Sequence, residues 1–193
     1  MPQPKWFAAL GTAAVVTMVM APAEQAAAAP SNAAPDSVSA ATTLYYDDSR
    51  AAGWEAAITA GVATWNANVT SVKLMKAPPG TRAQIRITAT NGWPQASLGP
   101  VRPGGQSWVE LGSQAVDQGY DKTRIAAHEI GHNLGLPDNK PGPCSKLMSG
   151  SSAGVGCRNP VPDAAERSRV EYNYGGRAAA HIPADGRVMV DVS

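Results

Sequence analysis

The chain of 193 residues has little net charge, few cysteines and no long apolar run after its N-terminal region. Its 16 basic and 15 acidic side chains argue against a nucleic-acid binder or a polybasic membrane-surface protein, because both depend on clustered positive charge. Without an apolar stretch of about 18 residues in the body of the chain, a membrane-spanning helix is not expected there. The hydrophobic fraction of 44% is nevertheless too high for a disordered chain. We therefore expect one globular domain and a processing segment, with no nucleic-acid or membrane partner.

The N-terminal region has the pattern of a secretory signal. A short basic start ends at Lys5, an apolar run follows at residues 6–21, and small residues at 26–29 offer a cleavage site. A buried N-terminal helix or a membrane anchor is the alternative, which the shortness of the apolar run disfavours. We predict a signal peptide at residues 1–29, a short pro-segment or linker at 30–42, and an extracellular protein.

The cysteines, Cys144 and Cys157, lie close together in the sequence. In a secreted chain, an even pair of cysteines most simply forms a disulfide. A metal–thiolate site is the alternative, but the pair lacks the C-x-x-C spacing that such sites favour. The sequence therefore predicts a Cys144–Cys157 bridge.

Short strands are predicted in the first half of the body of the chain. Segment 43–46 is β-prone, segments 72–76 and 84–88 alternate apolar with polar side chains, and the last strand candidate is 107–111. Between the last two of these, residues 91–105 are rich in glycine and proline and are predicted as a loop.

Three helices are predicted around these strands. Asp47, Asp48 and Ser49 offer N-caps for a helix beginning near Arg50, whose apolar stripe recurs at steps of three and four: Trp54, Ile58, Val62 and Trp65. A second helical pattern begins at Asp121, and Asp163 with Glu166 fits a capping box that opens the last helix. This order of elements predicts an α+β domain with a helix packed under a small twisted sheet.

The second helix carries the residues with the clearest chemistry. Residues 128–138 read HEIGHNLGLPD, so His128 and His132 are four apart and project from one helix face. Both imidazoles could reach a single Zn²⁺ at about 2.0–2.1 Å. Glu129 sits beside such a metal without ligating it, where its carboxylate can take a proton from water.

A catalytic zinc needs a third protein ligand and one open position. Gly135 can adopt the left-handed conformation that ends a helix, and Pro137 prevents the helix from resuming. Asp138 follows His132 by six residues and is close enough to return to the metal. We predict His128, His132 and Asp138 as zinc ligands.

This H-E-x-x-H-x-x-G-x-x-D pattern resembles the metzincin zinc peptidases, and its final Asp resembles the snapalysin family of small secreted neutral metalloproteases. Three flanking segments are also similar to that family: 120–124, 142–150 and 166–170. The resemblance covers about residues 43–174, which it identifies as a zinc metalloprotease domain, and leaves 175–193 as a C-terminal tail. It implies a metzincin-like α+β fold, with a small mixed sheet, an active-site helix and two further helices.

The resemblance also implies roles for residues outside the zinc motif. Met148 is expected in a Met-turn beneath the zinc, and Asp121 with Thr123 at a calcium site near the start of the zinc helix. The alternative for Asp121 is an N-cap. The family further implies a preference for an aromatic residue just after the cut bond.

Two features depart from the family pattern. No tyrosine lies between Tyr120 and Tyr172, so the donor that steadies the oxyanion has no counterpart. Lys140 could serve, although a solvated surface lysine is the favoured interpretation because lysine is seldom buried. The tail is the second departure, and its His181 is interpreted as a solvated residue.

The leading hypothesis is a secreted, monomeric zinc endopeptidase that acts on proteins or peptides. Its substrate is expected to add as a strand at an exposed sheet edge formed by residues 107–111. One rival is a thermolysin-like site with Glu166 as the third ligand. The other is a non-enzymatic binding module with a structural zinc, although structural sites normally have four protein ligands, usually including cysteine.

Overall fold

The computed structural model describes residues 40–175 and 187–191. The predicted signal peptide, most of the predicted pro-segment and His181 lie outside these residues. Among the described residues, no helix is long and apolar enough to cross a membrane.

A six-stranded mixed sheet forms the framework, in the order β2-β1-β3-β5-β4-β6. The strands are β1 (Thr42–Arg50), β2 (Val72–Lys76), β3 (Ile85–Thr90), β4 (Gln95–Ser97), β5 (Ser107–Gly112) and β6 (Val188–Val190). The first four in that order run parallel, β4 is antiparallel to β5, and β6 is antiparallel to β4. The predicted small mixed sheet is confirmed.

Helices pack on this sheet and enclose the apolar core. They are α1 (Glu55–Asn68), α2 (Ser113–Asp117), α3 (Lys122–Asn133) and α4 (Ala164–Tyr174), with a 3₁₀ segment at Leu147–Ala153. Trp65 of α1 is fully buried, and its Nε1 donates to the carbonyl of Ala127 in α3 at 2.8 Å. Gly61 lets the two helices approach closely, since a Cβ there would lie 3.0 Å from the Ala127 nitrogen. The predicted α+β class, with α3 and two further long helices, is confirmed.

The predicted start of the first helix is wrong. The helix begins at Glu55 rather than near Arg50, because β1 continues to Arg50. Pairing of Asp47 with Arg86 and of Arg50 with Thr88 on β3 extends the strand. These backbone hydrogen bonds outweigh the tendency of residues 47–49 to cap a helix. Local sequence preferences of this kind are weak and are often overridden by tertiary contacts.

The predicted sheet edge is also wrong. Residues 107–111 belong to β5, which lies between β3 and β4 and has both edges paired. The segment predicted as a loop contains β4, whose three residues are too few to show an alternating pattern. The antiparallel strands β4 and β6 therefore form the end of the sheet near α3.

Candidate active site

Helix α3 begins at the predicted cap and carries three chemically active side chains. Asp121 is the N-cap, and its carboxylate accepts a hydrogen bond from the backbone N–H of Arg124 at 2.9 Å. His128, Glu129 and His132 follow within the helix, and all three side chains are buried. Their ligand atoms lie within 4.8 Å of one another.

The turn after α3 returns the chain to these side chains. Gly135 has a φ of +93°, and its N–H donates to the carbonyl of His132 at 2.9 Å. A Cβ at Gly135 would lie 2.6 Å from the side-chain nitrogen of Asn173, so glycine is required both by conformation and by space. The turn places Asp138 Oδ1 3.3 Å from His128 Nε2 and 3.7 Å from His132 Nε2.

Backbone carbonyls orient both imidazoles. His128 Nδ1 lies 3.1 Å from the carbonyl oxygen of Leu147, and His132 Nδ1 lies 2.7 Å from that of Leu136. Because a carbonyl can only accept, each Nδ1 donates a proton and each neutral ring keeps a lone pair on Nε2. The two Nε2 atoms face each other at 3.0 Å. Two lone pairs at this distance repel each other, so the pair is stabilised by a cation between the rings, either a proton held on His128 Nε2 or a metal ion.

The donor spacing fits one zinc ion. Atoms about 2.0–2.2 Å from a tetrahedral ion lie about 3.3–3.6 Å apart. The observed separations of 3.0, 3.3 and 3.7 Å fall around that range. Two imidazole nitrogens and a carboxylate oxygen are also a donor set that zinc accepts.

The electrostatics of the site favour positive charge. Burial lowers the pKa of His128, but contact with Asp138 and the charge of Asp191 outweigh burial and raise it to about 9. Burial also lowers the pKa of His132, to about 3, which keeps that ring neutral at pH 7. The carboxylates that stabilise a charged His128 would stabilise a metal cation in the same way.

Glu129 is the buried acid of the site. Its side chain is 0% exposed, and neither oxygen has a hydrogen-bond partner among the described residues. Burial is the main cause that raises its pKa to about 8. A neighbouring cation would favour the ionised form, so the environment of Glu129 is consistent with a metal beside it.

Two charged side chains hold the segment beneath α3. Glu166 accepts from the backbone N–H groups of Leu147 and Met148, at 3.1 and 2.7 Å. The buried guanidinium of Arg124 donates to the carbonyl of Leu147 at 3.2 Å. Met148 is buried against α3, since a Cβ at Gly131 would lie 2.8 Å from its sulfur.

The thermolysin-like alternative for Glu166 is contradicted by these contacts. Besides the two groups in the Met148 segment, Glu166 accepts from the N–H of Asp163 at 2.6 Å and completes the predicted capping box. Both carboxylate oxygens are therefore engaged with backbone donors. Glu166 holds the backbone of Leu147 and Met148 beneath α3 and is not available as a metal ligand.

We expect Glu166→Gln to lower the free energy of unfolding by about 2 kcal/mol, because an amide cannot accept from all three donors and turns its NH₂ towards one of them. Urea denaturation with and without the substitution measures this loss. Glu55→Gln, at an exposed position, is the control and should change stability by less than about 0.5 kcal/mol. Loss of bound zinc without loss of stability would instead restore the ligand interpretation.

Other predicted residues have clear positions. Cys144 and Cys157 form the predicted disulfide. Asp121 acts as the helix cap and lies 3.7 Å from Arg158 Nη1, and no contact of the described residues adds support for calcium. The surface interpretation of Lys140 is wrong, because its Nζ lies 3.7 Å from Asp138 Oδ2 and pairs with Asp191.

Sequence reasoning missed Asp191. This residue follows β6 and is buried at the site, with a carboxylate oxygen within 4.8 Å of donor atoms of His128 and Asp138. The β-prone run at 188–190 is a local signal for a strand. Nothing in that run indicates which strand it joins, so the position of Asp191 could not be predicted.

The described residues line two cavities of several hundred Å³ near or on the sheet. One of about 300 Å³ lies beside Asp138 and is lined by Leu136, Pro137, Asp138 and Met148, among others. A larger one of about 520 Å³ lies on the polar face of the sheet around Arg86 and includes none of the residues of the zinc motif. Of these two, only the smaller cavity is lined by residues of the zinc motif.

Comparison with known proteins agrees with these features. Residues 41–175 match the Streptomyces extracellular neutral proteinase (M7) family. The chain is 38% identical over 174 residues to an extracellular small neutral protease of Streptomyces lividans, a match that covers 89% of this chain and 72% of that protein. It is 41% identical over 128 residues to an extracellular small neutral protease of Streptomyces caespitosus, covering 66% of this chain and 93% of that protein. Among solved structures, it is similar to high choriolytic enzyme 1, a hatching enzyme zinc-protease from the medaka Oryzias latipes, with a TM-score of 0.47 and 18% identity over 72% of this chain and 92% of that one.

Proposed function

Because the chain belongs to the extracellular neutral proteinase family, we propose that His128, His132 and Asp138 hold the catalytic zinc of a secreted endopeptidase. Family membership makes the chain a zinc-dependent metalloendopeptidase that acts outside the cell on protein or peptide substrates. The single observation that carries the ligand assignment is the convergence of two Nε2 lone pairs and one carboxylate oxygen within 3.7 Å.

Glu129 is the general base in this proposal. When bound, zinc supplies Lewis acidity that activates a water molecule and polarises the scissile carbonyl. The Glu129 carboxylate is buried beside both histidines and has no hydrogen-bond partner among the described residues. It is therefore free to accept a proton from the attacking water and to pass it to the leaving amine.

Lys140 is the candidate for the donor that steadies the oxyanion. Its ammonium group lies 3.7 Å from Asp138 Oδ2, on the proposed zinc ligand. A cation fixed beside developing negative charge stabilises a transition state. The contact supports this role for Lys140 in a chain that lacks a tyrosine between residues 120 and 172.

Two features support the assignment of substrate subsites. The outer edge of β4 accepts an extended backbone, since β6 pairs there in the structure, and a substrate paired at the same edge would be recognised through its main chain with tolerance of many side chains. The cavity of about 300 Å³ beside Asp138 has a mixed lining, with Leu136, Pro137 and Met148 next to charged and polar side chains, and its apolar part supports a place for an aromatic side chain after the cut bond. Mapping the cleavage sites in casein by mass spectrometry tests this preference.

The activity test uses casein and a zinc chelator. We expect cleavage that falls more than about tenfold on chelation and returns when zinc is added, because the residues of the site require the metal to activate water. A serine protease run in parallel controls for effects of the chelator on casein. Cleavage untouched by chelation would overturn the proposed mechanism.

Several assignments stay predictions. The calcium site at Asp121 and Thr123 is tested by metal analysis of the purified protein, and the monomeric state by sedimentation. The family match at 41–175 supports a protease domain at 43–174. Mass spectrometry of the secreted product tests that limit and the signal peptide at 1–29.

A further inference from the structure

Strand β6 lies along β4 as an extended peptide would. The pairs Gln95–Val190, Ala96–Met189 and Ser97–Val188 define an antiparallel ladder. Backbone hydrogen bonds extend it at both ends, from the N–H of Leu98 to Arg187 at 2.7 Å and from the N–H of Asp191 to Pro94 at 3.0 Å. The segment 187–191 therefore covers the whole outer edge of β4.

The side chains of β6 add little to the core. Val188 is 50% exposed and Val190 is 40% exposed, so this strand is held mainly through its backbone. It also lies beyond residue 175, where the match to the protease family ends. A strand with these properties is an addition to the catalytic domain, and its removal need not disrupt the core.

Asp191 anchors the end of this segment inside the metal site. The residue is 5% exposed, accepts from the backbone N–H of Ser151 at 3.1 Å and forms an ion pair with Lys140. Gly150 leaves room for its carboxylate, since a Cβ there would overlap both that group and the Lys140 side chain. The contacts orient Asp191 towards His128 and Asp138.

With His128 neutral, as a metal ligand must be, the two carboxylates around Asp191 outnumber the single positive charge of Lys140 that contacts them. Asp138 and Asp191 bring two carboxylates within 4.8 Å of each other and of a His128 nitrogen. Lys140 pairs with both and supplies one positive charge. Buried carboxylates at this separation are stabilised by a further cation, and a metal ion held by the same residues would provide it.

We propose that Asp191 is a fourth protein ligand of the zinc ion and that segment 187–191 keeps the chain latent by covering the β4 edge. This inference rests on the zinc site of the proposed function. Catalytic zinc sites have three protein ligands and one position for water or substrate, whereas closed sites have four protein ligands. Displacement of the segment frees that position, exposes the β4 edge and releases Lys140 from Asp191.

Two variants test latency. A chain ending at residue 186 lacks the segment, and Asp191→Ala in the full chain keeps the backbone pairing but removes the carboxylate. Both are expected to cleave casein with a kcat/KM at least tenfold above that of the full chain. Val188→Ala, at an exposed position of β6, is the matched control and should leave kcat/KM unchanged. Equal kcat/KM in all four proteins would overturn the proposal.

A spectroscopic test does not depend on turnover. Cobalt(II) replaces zinc, and its visible absorption reports the number and type of ligands. We expect the spectrum of the full chain to differ from those of the chain ending at 186 and of Asp191→Ala. A synthetic peptide of residues 187–193 should restore the full-chain spectrum of the shortened protein and inhibit its cleavage of casein. The same peptide with alanine at position 191 should inhibit at least tenfold less.

The outcomes separate this proposal from the proposed function. Identical cobalt spectra in the full chain and Asp191→Ala would show that Asp191 is not a ligand, whether or not casein is cleaved. A changed spectrum without any cleavage by either protein would support the ligand and overturn the peptidase assignment. If the shortened chain fails to fold, as judged by circular dichroism, Asp191→Ala in the full chain decides the question alone.

Discussion

Glu129→Gln is expected to lower kcat on casein or a peptide by about a thousandfold while zinc stays bound. The amide has the shape of the carboxylate but cannot accept the proton of the attacking water, and general-base catalysis contributes about 10²–10⁴ to the rate. Zinc content should remain one per chain, because Glu129 is not among the proposed ligands. The measurements are kcat and the zinc-to-protein ratio, in the full chain and in the chain ending at residue 186.

The same substitution has a second expected effect on the metal-free protein. Glu129 is a fully buried carboxyl group whose oxygens have no hydrogen-bond partner among the described residues. Because burial raises the pKa of Glu129 to about 8, folding of the metal-free chain at neutral pH requires this carboxyl group to take up a proton. A neutral amide removes that cost, so the metal-free variant should be at least as stable as the parent chain. Glu55→Gln, the same substitution at an exposed position, is the control and should have the same kcat as the parent chain. A Glu129→Gln enzyme that retains a tenth of the parent kcat would exclude Glu129 as the base.

Asp138→Ala is expected to weaken zinc binding by at least about a hundredfold and to abolish cleavage. Even outer-sphere substitutions cost about 10–100-fold in metal affinity, so the loss of a direct ligand should cost at least as much. Competition with a chromophoric chelator measures the affinity. Asp117→Ala, at an exposed position in α2, is the matched control and should leave the affinity unchanged.

The size of the Asp138 effect should depend on the C-terminal segment. In the full chain, Asp191 lies close enough to His128 to keep a carboxylate on the metal. In the chain ending at residue 186, only the two histidines would remain, so the loss of affinity should be larger there. Normal affinity of Asp138→Ala in the shortened chain would require a different third ligand.

Much of the site could be predicted because its parts are local. His128 and His132 are four positions apart in α3, so their spacing in the sequence determines their common face, and Glu129 follows directly after His128. The cap at Asp121, the left-handed Gly135 and the capping box at Asp163 depend on contacts between residues no more than four positions apart, or on a single backbone conformation. The Cys144–Cys157 bridge spans only 13 positions.

The errors have physical causes that are equally specific. β1 runs on to Arg50 because β3 supplies backbone partners, which outweigh the capping tendency of Asp47. Lys140 is partly buried because its ammonium group pairs with the carboxylates of Asp138 and Asp191, although lysine is usually a surface residue. In each case, a partner distant in sequence determined the outcome.

By itself, the sequence determined the chemistry of α3, the return of Asp138 after Gly135, the α+β class and the family. These follow from side-chain spacing along a helix and from residues that permit only certain backbone angles. Only the tertiary structure decided that β5 is an inner strand, that β6 pairs with β4, and that Asp191 lies beside His128 and Asp138. Strand pairing joins backbone groups some 90 positions apart, as between Ser97 and Val188, and every residue except proline carries the same backbone donor and acceptor. The identity of side chains therefore does not specify which edges meet, and the packing of the whole chain does.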